Sequence, residues 1–382
     1  MAASPLGRLL ARLGPEVEDP DEETFLLFAH KRPSAQNLGF VDAHAAVLDV
    51  AVAGRDLVVH QSPTVLTSSR PGGTTGAVLW KITPIVADWL ARPDNVFFCG
   101  DDASPAASGM LGPHSAVLEL GCGIAGVIGM ALTHPRTAAT RSNTKPNSTR
   151  RKNGKSRAQR LAAGPSGTVP TVSVKCNTNT VGRYVLTDQA YVAKLVQRNL
   201  DENNESAARS PPPRVYFRPL DWETDAVTLD LLRAPADDAE RSDAGGGGGG
   251  AAAAAAATAW TTQWQHRGFD AVLACDCIYN EALVAPLVQT CADACRLRLR
   301  FRARTRADDV HARPPAEPAA PALCIVAQQL RDPDVLTAWM TAFRAAFRVW
   351  RVPDAWLTAE LQSTAGFAVH VGILRDEPMG AL

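Results

Sequence analysis

The fifteen residues from Ala116 to Met130 (AVLELGCGIAGVIGM) constrain the fold of this chain more than any other segment. An apolar run reaches a glycine turn, Gly121-Cys122-Gly123, and an apolar, helix-forming stretch follows. This order predicts a buried strand, a tight turn and the start of a helix. Because a side chain at either glycine would hold the backbone away from a ligand, the turn indicates a nucleotide-type ligand on an α/β sheet. The Glu119 carboxylate, two residues before the first glycine, is predicted to lie at this ligand-binding edge.

The string Gly121-x-Gly123-x-x-Gly126 also fits the dinucleotide-binding fingerprint. Either kind of site needs an acidic residue at the end of the next strand, to bind ribose hydroxyls. Asp188 fits, because it closes the apolar segment RYVLTD and a helical pattern follows it. However, Asp188 lies 65 residues beyond Gly123, whereas the fingerprint expects about 20.

Residues 134–178 account for the difference in spacing. They contain ten Lys or Arg residues and no Asp or Glu, and they have no apolar periodicity. This composition predicts a disordered insertion between the first crossover helix and the second strand; without its 45 residues the spacing is 20. Three interpretations stay open: a basic arm that binds rRNA or acidic surfaces, a neutral insertion, or translated intron sequence.

Charge and cysteine content limit the partners and the compartment. The chain has 382 residues, and its formal net charge of zero conceals an acidic body: without the ten basic residues of the insertion, 29 basic face 39 acidic residues, a net charge of −10. An acidic body favours a basic protein partner over a nucleic acid. Eight unevenly spaced cysteines indicate reduced thiols, and therefore the cytoplasm or the nucleus. Arg8 and Arg12 keep a mitochondrial presequence as an alternative, and no apolar run approaches the ~18 residues of a membrane span.

Residues 1–70 are predicted to form an N-terminal extension that contains a β-hairpin. Its strands are Ala46–Val52 and Leu57–Gln61, which flank a turn at residues 53–56 with one glycine. Thr83 and Pro84 then have the residue types of a helix N-cap and first helical position.

Residues 71–382 are predicted to form one domain in which strands and helices alternate. Further disordered insertions are predicted at 237–258, which contains glycine and alanine runs, and at 300–321, which is rich in Arg and Pro. The last two strand-like segments, Phe347–Val352 and Gly366–Leu374, predict a terminal antiparallel pair.

Five separate motifs together resemble the seven-β-strand protein-lysine methyltransferases, and within them the fungal ribosomal lysine N-methyltransferase 5 group. These motifs are AVLWKITP with Trp80, LELGCGIAG, LTDQ with Asp188, LDW ending at Trp222, and CDCIYNEAL beginning at Cys275. The N-terminal phrases LGFVDAHAAVLDVAVAGRDLVVHQSP and GGTTGAVLWKITP resemble that group as well. The resemblance implies a class I methyltransferase, Rossmann-like α/β fold. Its seven-stranded sheet would be mostly parallel and end in the antiparallel pair.

The resemblance implies S-adenosylmethionine as methyl donor and a lysine ε-amine, on a protein of the 60S ribosomal subunit, as acceptor. Another protein, an RNA or a small molecule as acceptor, and an inactive S-adenosylmethionine-binding module, stay as alternatives. The implied donor-binding residues are Trp80 over the methionine end, the backbone of Gly121, Cys122 and Gly123, Asp188 at the ribose, Trp222 at the adenine and Cys275 beside the donor.

Several of these residues also have structural interpretations. Trp80 and Trp222 could be ordinary core aromatics, and Asp188 could cap the helix that follows it. Cys275 and Cys277, with Cys291 and Cys295 further along, do not have the spacing of common structural zinc sites, so we expect buried thiols and no metal.

Asp276 and Tyr279 are the predicted catalytic residues, because they follow the fourth strand of the sheet where an acceptor would enter. A lysine with a pKa of ~10.4 must lose its proton before it can be methylated, which costs about 4–5 kcal/mol at pH 7, and a neighbouring positive sulfonium favours that loss. The two side chains are predicted to orient the amine. Capping of the helix that begins near Asn280 is the structural alternative for Asp276.

Overall fold

A computed structural model describes residues 4–30, 39–70, 72–99, 109–134, 179–203, 214–233, 267–308 and 320–375, with the side chains of 301–308 left aside. Apart from His134, the predicted insertions at 134–178 and 237–258 lie outside these ranges. The third insertion was predicted at 300–321, but its predicted start is too early, because a helix continues to Asp308.

The N-terminal hairpin consists of β1 (Val47–Val52) and β2 (Arg55–His60), which pair in antiparallel register. Ala53 and Gly54 form the turn with φ values of +53° and +75°, and two consecutive positive φ values are typical of the tightest hairpin turns. The second strand therefore begins at Arg55, two residues earlier than predicted.

Seven further strands form one sheet. They are β3 (Ala116–Leu120), β4 (Arg183–Asp188), β5 (Val215–Pro219), β6 (Ala271–Cys275), β7 (Leu323–Gln329), β8 (Phe347–Arg351) and β9 (Phe367–Leu374). The order across the sheet is β5-β4-β3-β6-β7-β9-β8, and β9 is antiparallel to both of its neighbours. The pairs between β3 and β4, β4 and β5, β3 and β6, and β6 and β7 are parallel. This topology confirms the predicted class I methyltransferase fold with its terminal antiparallel pair.

Eight α-helices occur in the described ranges. They are α1 (Pro5–Leu13), α2 (Pro20–Phe28), α3 (Pro63–Leu66), α4 (Ile82–Leu90), α5 (Val127–Thr133), α6 (Ala193–Asn203), α7 (Val284–Asp308) and α8 (Pro333–Ala346). Helix α4 begins at Ile82, one residue before the predicted cap Thr83, and has no side-chain cap. None of the described helices is long and apolar enough to cross a membrane.

The helices cover both faces of the sheet, as the continuous apolar runs of its parallel strands require. Buried side chains of α1, α4, α5 and α6 pack on one face together with those of the hairpin. Those of α2, α7 and α8 pack on the other face. The N-terminal hairpin is thus part of the main core.

One buried amide joins the hairpin to the helix that follows β4. The side chain of Asn199, on α6, accepts a hydrogen bond from the backbone nitrogen of His60 at 2.8 Å and donates to its oxygen at 2.9 Å. It also donates to the backbone oxygen of Ile124 at 2.8 Å, just before α5. The hairpin, α6 and the loop after β3 are thereby fixed to one another beside the carboxyl ends of the strands.

Candidate functional site

The glycine turn after β3 has the conformation that the sequence predicts. Gly121 and Gly123 have φ values of +67° and +59°, which side chains rarely tolerate. Space excludes a side chain as well, because a Cβ on Gly121 would lie 2.7 Å from the sulfur of Cys277 and 3.1 Å from the ring of Trp222. The backbone nitrogen of Cys122 donates to the oxygen of Thr187 at 3.0 Å, which fixes the turn against the end of β4.

Asp188 ends β4 beside this turn. Its carboxylate accepts hydrogen bonds from the backbone nitrogens of Gly123, at 2.9 Å, and Gln189, at 2.7 Å. Burial raises the pKa of Asp188 to about 6, although these two bonds oppose the shift. No Arg, Lys or His in the described ranges forms an ion pair with it, so its charge is stabilised by backbone dipoles alone.

A second glycine-rich loop, Gly72–Ala77, lies against the first. The backbone oxygen of Gly76 accepts from the nitrogen of Ile124 at 2.9 Å. A Cβ on Gly76 would lie 2.8 Å from the hydroxyl of Tyr191 and 3.5 Å from the Asp188 carboxylate, so this glycine permits a close approach to the end of β4. The sequence signal for the loop was present in the run GGTTG, although no site residue was predicted there.

Trp80 and Tyr279 both hold this loop. The indole nitrogen of Trp80 donates to the backbone oxygen of Thr75 at 3.0 Å. The hydroxyls of Tyr279 and Thr75 are 3.3 Å apart, which joins the segment after β6 to the loop. Tyr279 is 42% exposed, so its ring lies at the surface of the site.

Asp276 is the first residue after β6 and has a left-handed φ of +60°. Both carboxylate oxygens lie 2.6 Å from the guanidinium of Arg331, in a bidentate pair. Oδ1 also accepts from the side chain of Gln328 at 3.0 Å and from the backbone nitrogen of Gln329 at 3.3 Å. The helical turn that begins after Asn280 is capped by Asn280, whose side chain accepts from the backbone nitrogen of Ala282. The alternative that Asp276 caps this helix is therefore wrong.

Glu119 is not in the wall of the site, contrary to the expectation from its position in the strand. Its side chain is 1% exposed and accepts a hydrogen bond from the hydroxyl of Tyr184 at 2.7 Å. Burial raises the pKa of Glu119 to about 7, and the charge of Asp188 adds to the shift. Because β3 is paired on both sides, the Glu119 side chain points into one face of the sheet. There it meets Tyr184 of the neighbouring strand β4.

The remaining predicted site residues share one cavity of about 530 Å³ at the carboxyl ends of β3 to β7. They are Trp80, Gly121, Cys122, Gly123, Asp188, Trp222, Cys275, Asp276 and Tyr279. The other lining residues include Leu220, Asp221, Tyr191, Arg331 and the glycine-rich loop. Arg331 was missed by the sequence analysis, although its position just beyond β7 would have indicated it.

The cavity thiols do not have the properties of nucleophiles or metal ligands. Burial raises the pKa of Cys122, Cys275 and Cys277 above the ordinary thiol value, so all three are neutral near pH 7. In the ranges that the structure describes, no group of three or more His, Cys, Asp or Glu side chains is placed to hold a metal ion.

No protein-family model matches the chain. One curated relative is the diaminohydroxyphosphoribosylamino-pyrimidine deaminase of Schizosaccharomyces pombe, 24% identical over 333 residues. The alignment covers 87% of this chain and 53% of that protein, so the chain spans about half the length of this relative.

Three solved structures that are similar to this chain have low TM-scores and low sequence identities. The CurJ carbon methyltransferase is 10% identical with a TM-score of 0.30, covering 69% of this chain and 49% of that one. A Haloferax volcanii complex of the Trm112 methyltransferase activator with a methyltransferase is 11% identical with a TM-score of 0.32. The match covers 70% of this chain and 85% of that one. Spermidine synthase of Thermotoga maritima is 11% identical with a TM-score of 0.30, and the match covers 86% of this chain and 72% of that one. Scores this low carry no weight for the activity, and the function must be inferred from the site itself.

Proposed function

We propose that the protein is an S-adenosylmethionine-dependent methyltransferase that modifies a lysine ε-amine of a large-subunit ribosomal protein. The observation that carries this proposal is the setting of Asp188: a partly buried carboxylate without a cationic partner in the described ranges, beside the glycine turn Gly121–Gly123. Both lie next to the point between β3 and β6 where the strand order reverses, which is where open α/β sheets bind ligands.

The residues present fit the proposed donor. A volume of about 530 Å³ is in the range of small-molecule sites. Asp188 would accept hydrogen bonds from a ribose diol, and Trp222 would pack on a purine. The backbone of Gly121–Gly123 would run along the methionine and the ribose. Trp80 would cover the methionine end. When bound, S-adenosylmethionine supplies a methyl group on a positively charged sulfur.

The protein's own residues would bind and align the acceptor amine. Cys275 and Tyr279 line the end of the cavity after β6, and the partly buried ring of Trp80 lines the same cavity. The neutral thiols and the indole exclude water from this end of the cavity, which favours loss of the ammonium proton once the acceptor is bound. In the protein without acceptor, Arg331 pairs with Asp276, which is therefore not a free base. The amine proton would leave to water.

A cationic acceptor is favoured by two features. Asp276 and the face of Trp80 are groups that recognise cations, and the chain outside residues 134–178 has a net charge of −10. The ribosomal protein as acceptor rests on the resemblance of the five sequence motifs. An rRNA contact through residues 134–178 stays part of the proposal, on the composition of that segment.

Deamination, the activity named for the S. pombe relative, has no support from the residues of this chain. Zinc-dependent nucleobase deaminases carry the pattern H-x-E followed by P-C-x-x-C. None of the eight histidines here is followed two residues later by Glu, and no two cysteines are separated by two residues.

The proposal is tested by incubating the protein with methyl-labelled S-adenosylmethionine and a ribosomal extract, with and without RNase. We expect label in a large-subunit protein, unchanged by RNase and recovered as methyl-lysine after hydrolysis. An Asp188→Asn variant is the matched control and should transfer little label. Label in RNA or in a small molecule would overturn the acceptor class, and donor binding without any transfer would indicate an inactive binding module.

A further inference from the structure

Arg331 lines the cavity, and its guanidinium group lies beside Asp276. Its two terminal nitrogens contact the two oxygens of Asp276 at 2.6 Å each, and one of them also donates to the side chain of Gln329 at 2.9 Å. The guanidinium carbon lies 5.0 Å from the centre of the Trp80 ring. A carboxylate and an aromatic face therefore contact the same cation from two sides.

Asp276 depends on this cation. Its side chain is 4% exposed, whereas that of Arg331 is 23% exposed. The other partners of the carboxylate are neutral and belong to β7, namely the amide of Gln328 and the backbone nitrogen of Gln329. A buried carboxylate that loses its only cationic partner is strongly destabilised. Arg331 is thus the partner that can move, provided that another cation takes its place.

The charged residues that line the cavity also distinguish Arg331 from the rest. Among the residues that line it, Arg331 is the single Arg, Lys or His, while Asp188, Asp221, Glu223 and Asp276 are acidic. The guanidinium is therefore the one internal cation available to the acceptor end of the described site.

We propose that Arg331 occupies the subsite of the acceptor's cationic group, and that an incoming lysine ammonium displaces it from Asp276 and from the face of Trp80. The inference rests on the proposed function and names how that site recognises its acceptor. Exchange of one cation for another keeps Asp276 paired while the acceptor enters, whereas a neutral ligand cannot release Arg331 without leaving the carboxylate unpaired. Arg331 thereby discriminates against neutral acceptors. Before transfer the bound ammonium loses one proton to water, and the resulting amine keeps an N–H hydrogen bond to Asp276.

The test uses the full chain saturated with S-adenosylhomocysteine. The probes are n-butylammonium chloride, which has the end of a lysine side chain, and butan-1-ol as its neutral counterpart, each titrated while the NMR signal of the Trp80 indole N–H is followed. Sodium chloride at equal ionic strength controls for screening. The variants are Arg331→Gln, Arg331→Met, and the double variant of Arg331→Gln with Asp276→Asn. Arg92→Gln is the matched control, because Arg92 forms a bidentate pair with Asp94 at the surface, outside the cavity.

We expect Arg331→Gln to bind butylammonium at least tenfold more tightly than the wild type, with no gain for butan-1-ol. Adding Asp276→Asn should abolish the gain, and Arg92→Gln should resemble the wild type. With a methylatable substrate, Arg331→Gln should lower KM more than it changes kcat. Equal or weaker butylammonium binding in Arg331→Gln would overturn the exchange, and Arg331→Met gives the same readout if the Gln variant does not fold. Failure of the wild type to bind S-adenosylhomocysteine would instead overturn the proposed function.

Discussion

Asp188 and Asp276 occupy equivalent places in the sheet but have opposite surroundings. Each lies at the carboxyl end of a parallel strand, and each lines the same cavity. Asp188 accepts two backbone N–H groups and forms no ion pair with a described residue, whereas both oxygens of Asp276 contact a guanidinium. Burial raises the pKa of Asp188 to about 6.

The difference separates two kinds of ligand recognition. A carboxylate that is held only by backbone N–H groups keeps acceptor capacity for hydroxyl groups, which suits a ribose. A carboxylate whose partner is a cation exchanges that partner only for another cation, which suits a charged acceptor. In the proposed function, the carboxyl edge of the sheet therefore consists of a donor half at β3 to β5 and an acceptor half at β6 and β7.

The largest effect is expected in the donor half, from Gly121→Val. A side chain there meets Cys277 and Trp222 at once and requires a backbone with positive φ, so the turn must move out of the cavity. We expect calorimetry to detect no binding of S-adenosylhomocysteine by this variant. If a folded Gly121→Val protein binds with unchanged affinity, the donor does not lie against this turn.

In the acceptor half, Asp276→Asn should impair transfer without a large effect on the donor. Asn is the suitable replacement because it adopts left-handed φ values more readily than Ala. Loss of the charge that orients the acceptor is expected to raise the barrier by about 2–4 kcal/mol, or about thirtyfold to a thousandfold in single-turnover rate. A rate within threefold of the wild type, together with a lower melting temperature, would make Asp276 structural.

A third carboxylate, Glu119, is a useful comparison because its side chain does not line the cavity. Its pKa of about 7 lies above its ordinary value of 4.5, so the folded state keeps a proton that the unfolded state releases. The free energy of unfolding should therefore fall as pH rises from about 4.5 to 7, by up to about 3 kcal/mol. Glu119→Gln, which can still accept from Tyr184, should remove this part of the fall in denaturant titrations of the free protein. An unchanged pH profile would contradict the buried setting of Glu119.

The smallest effect is expected from the basic segment. Replacing residues 135–178 with a short Gly-Ser linker should leave the melting temperature and S-adenosylhomocysteine affinity unchanged, because the segment has no periodic apolar face. Retained donor binding with lost ribosomal methylation would favour the basic-arm interpretation. Loss of folded protein would show that the segment packs on the domain.

Much of the fold could be predicted from local patterns. The segment RYVLTD, predicted as the strand that ends at Asp188, is strand β4 with those bounds, because a continuous apolar run with polar ends allows few alternatives. The start of β2 was predicted two residues late, since Arg55 and Asp56 are polar and only the turn geometry places them in the strand.

The site was predictable where chemistry follows the end of a strand and not where it depends on packing. Asp188 and Asp276 could both be placed at the carboxyl edge by sequence. The pairing of Asp276 with Arg331 could not be predicted, because Arg331 lies 55 residues further along the chain and meets Asp276 only through the pairing of β6 with β7. Glu119 was misplaced because the sequence does not reveal which face of a fully buried strand a side chain occupies.

The most direct test of the division into two halves is a calorimetric titration of S-adenosylhomocysteine into the wild type, Asp188→Asn and Asp276→Asn at pH 8. Asp188→Asn should weaken binding at least thirtyfold, about 2 kcal/mol, because the charge that holds the ribose hydroxyls is lost. Asp276→Asn should bind within about threefold of the wild type. Equal losses in the two variants, or a larger loss in Asp276→Asn, would contradict the assignment of Asp188 to the donor and Asp276 to the acceptor.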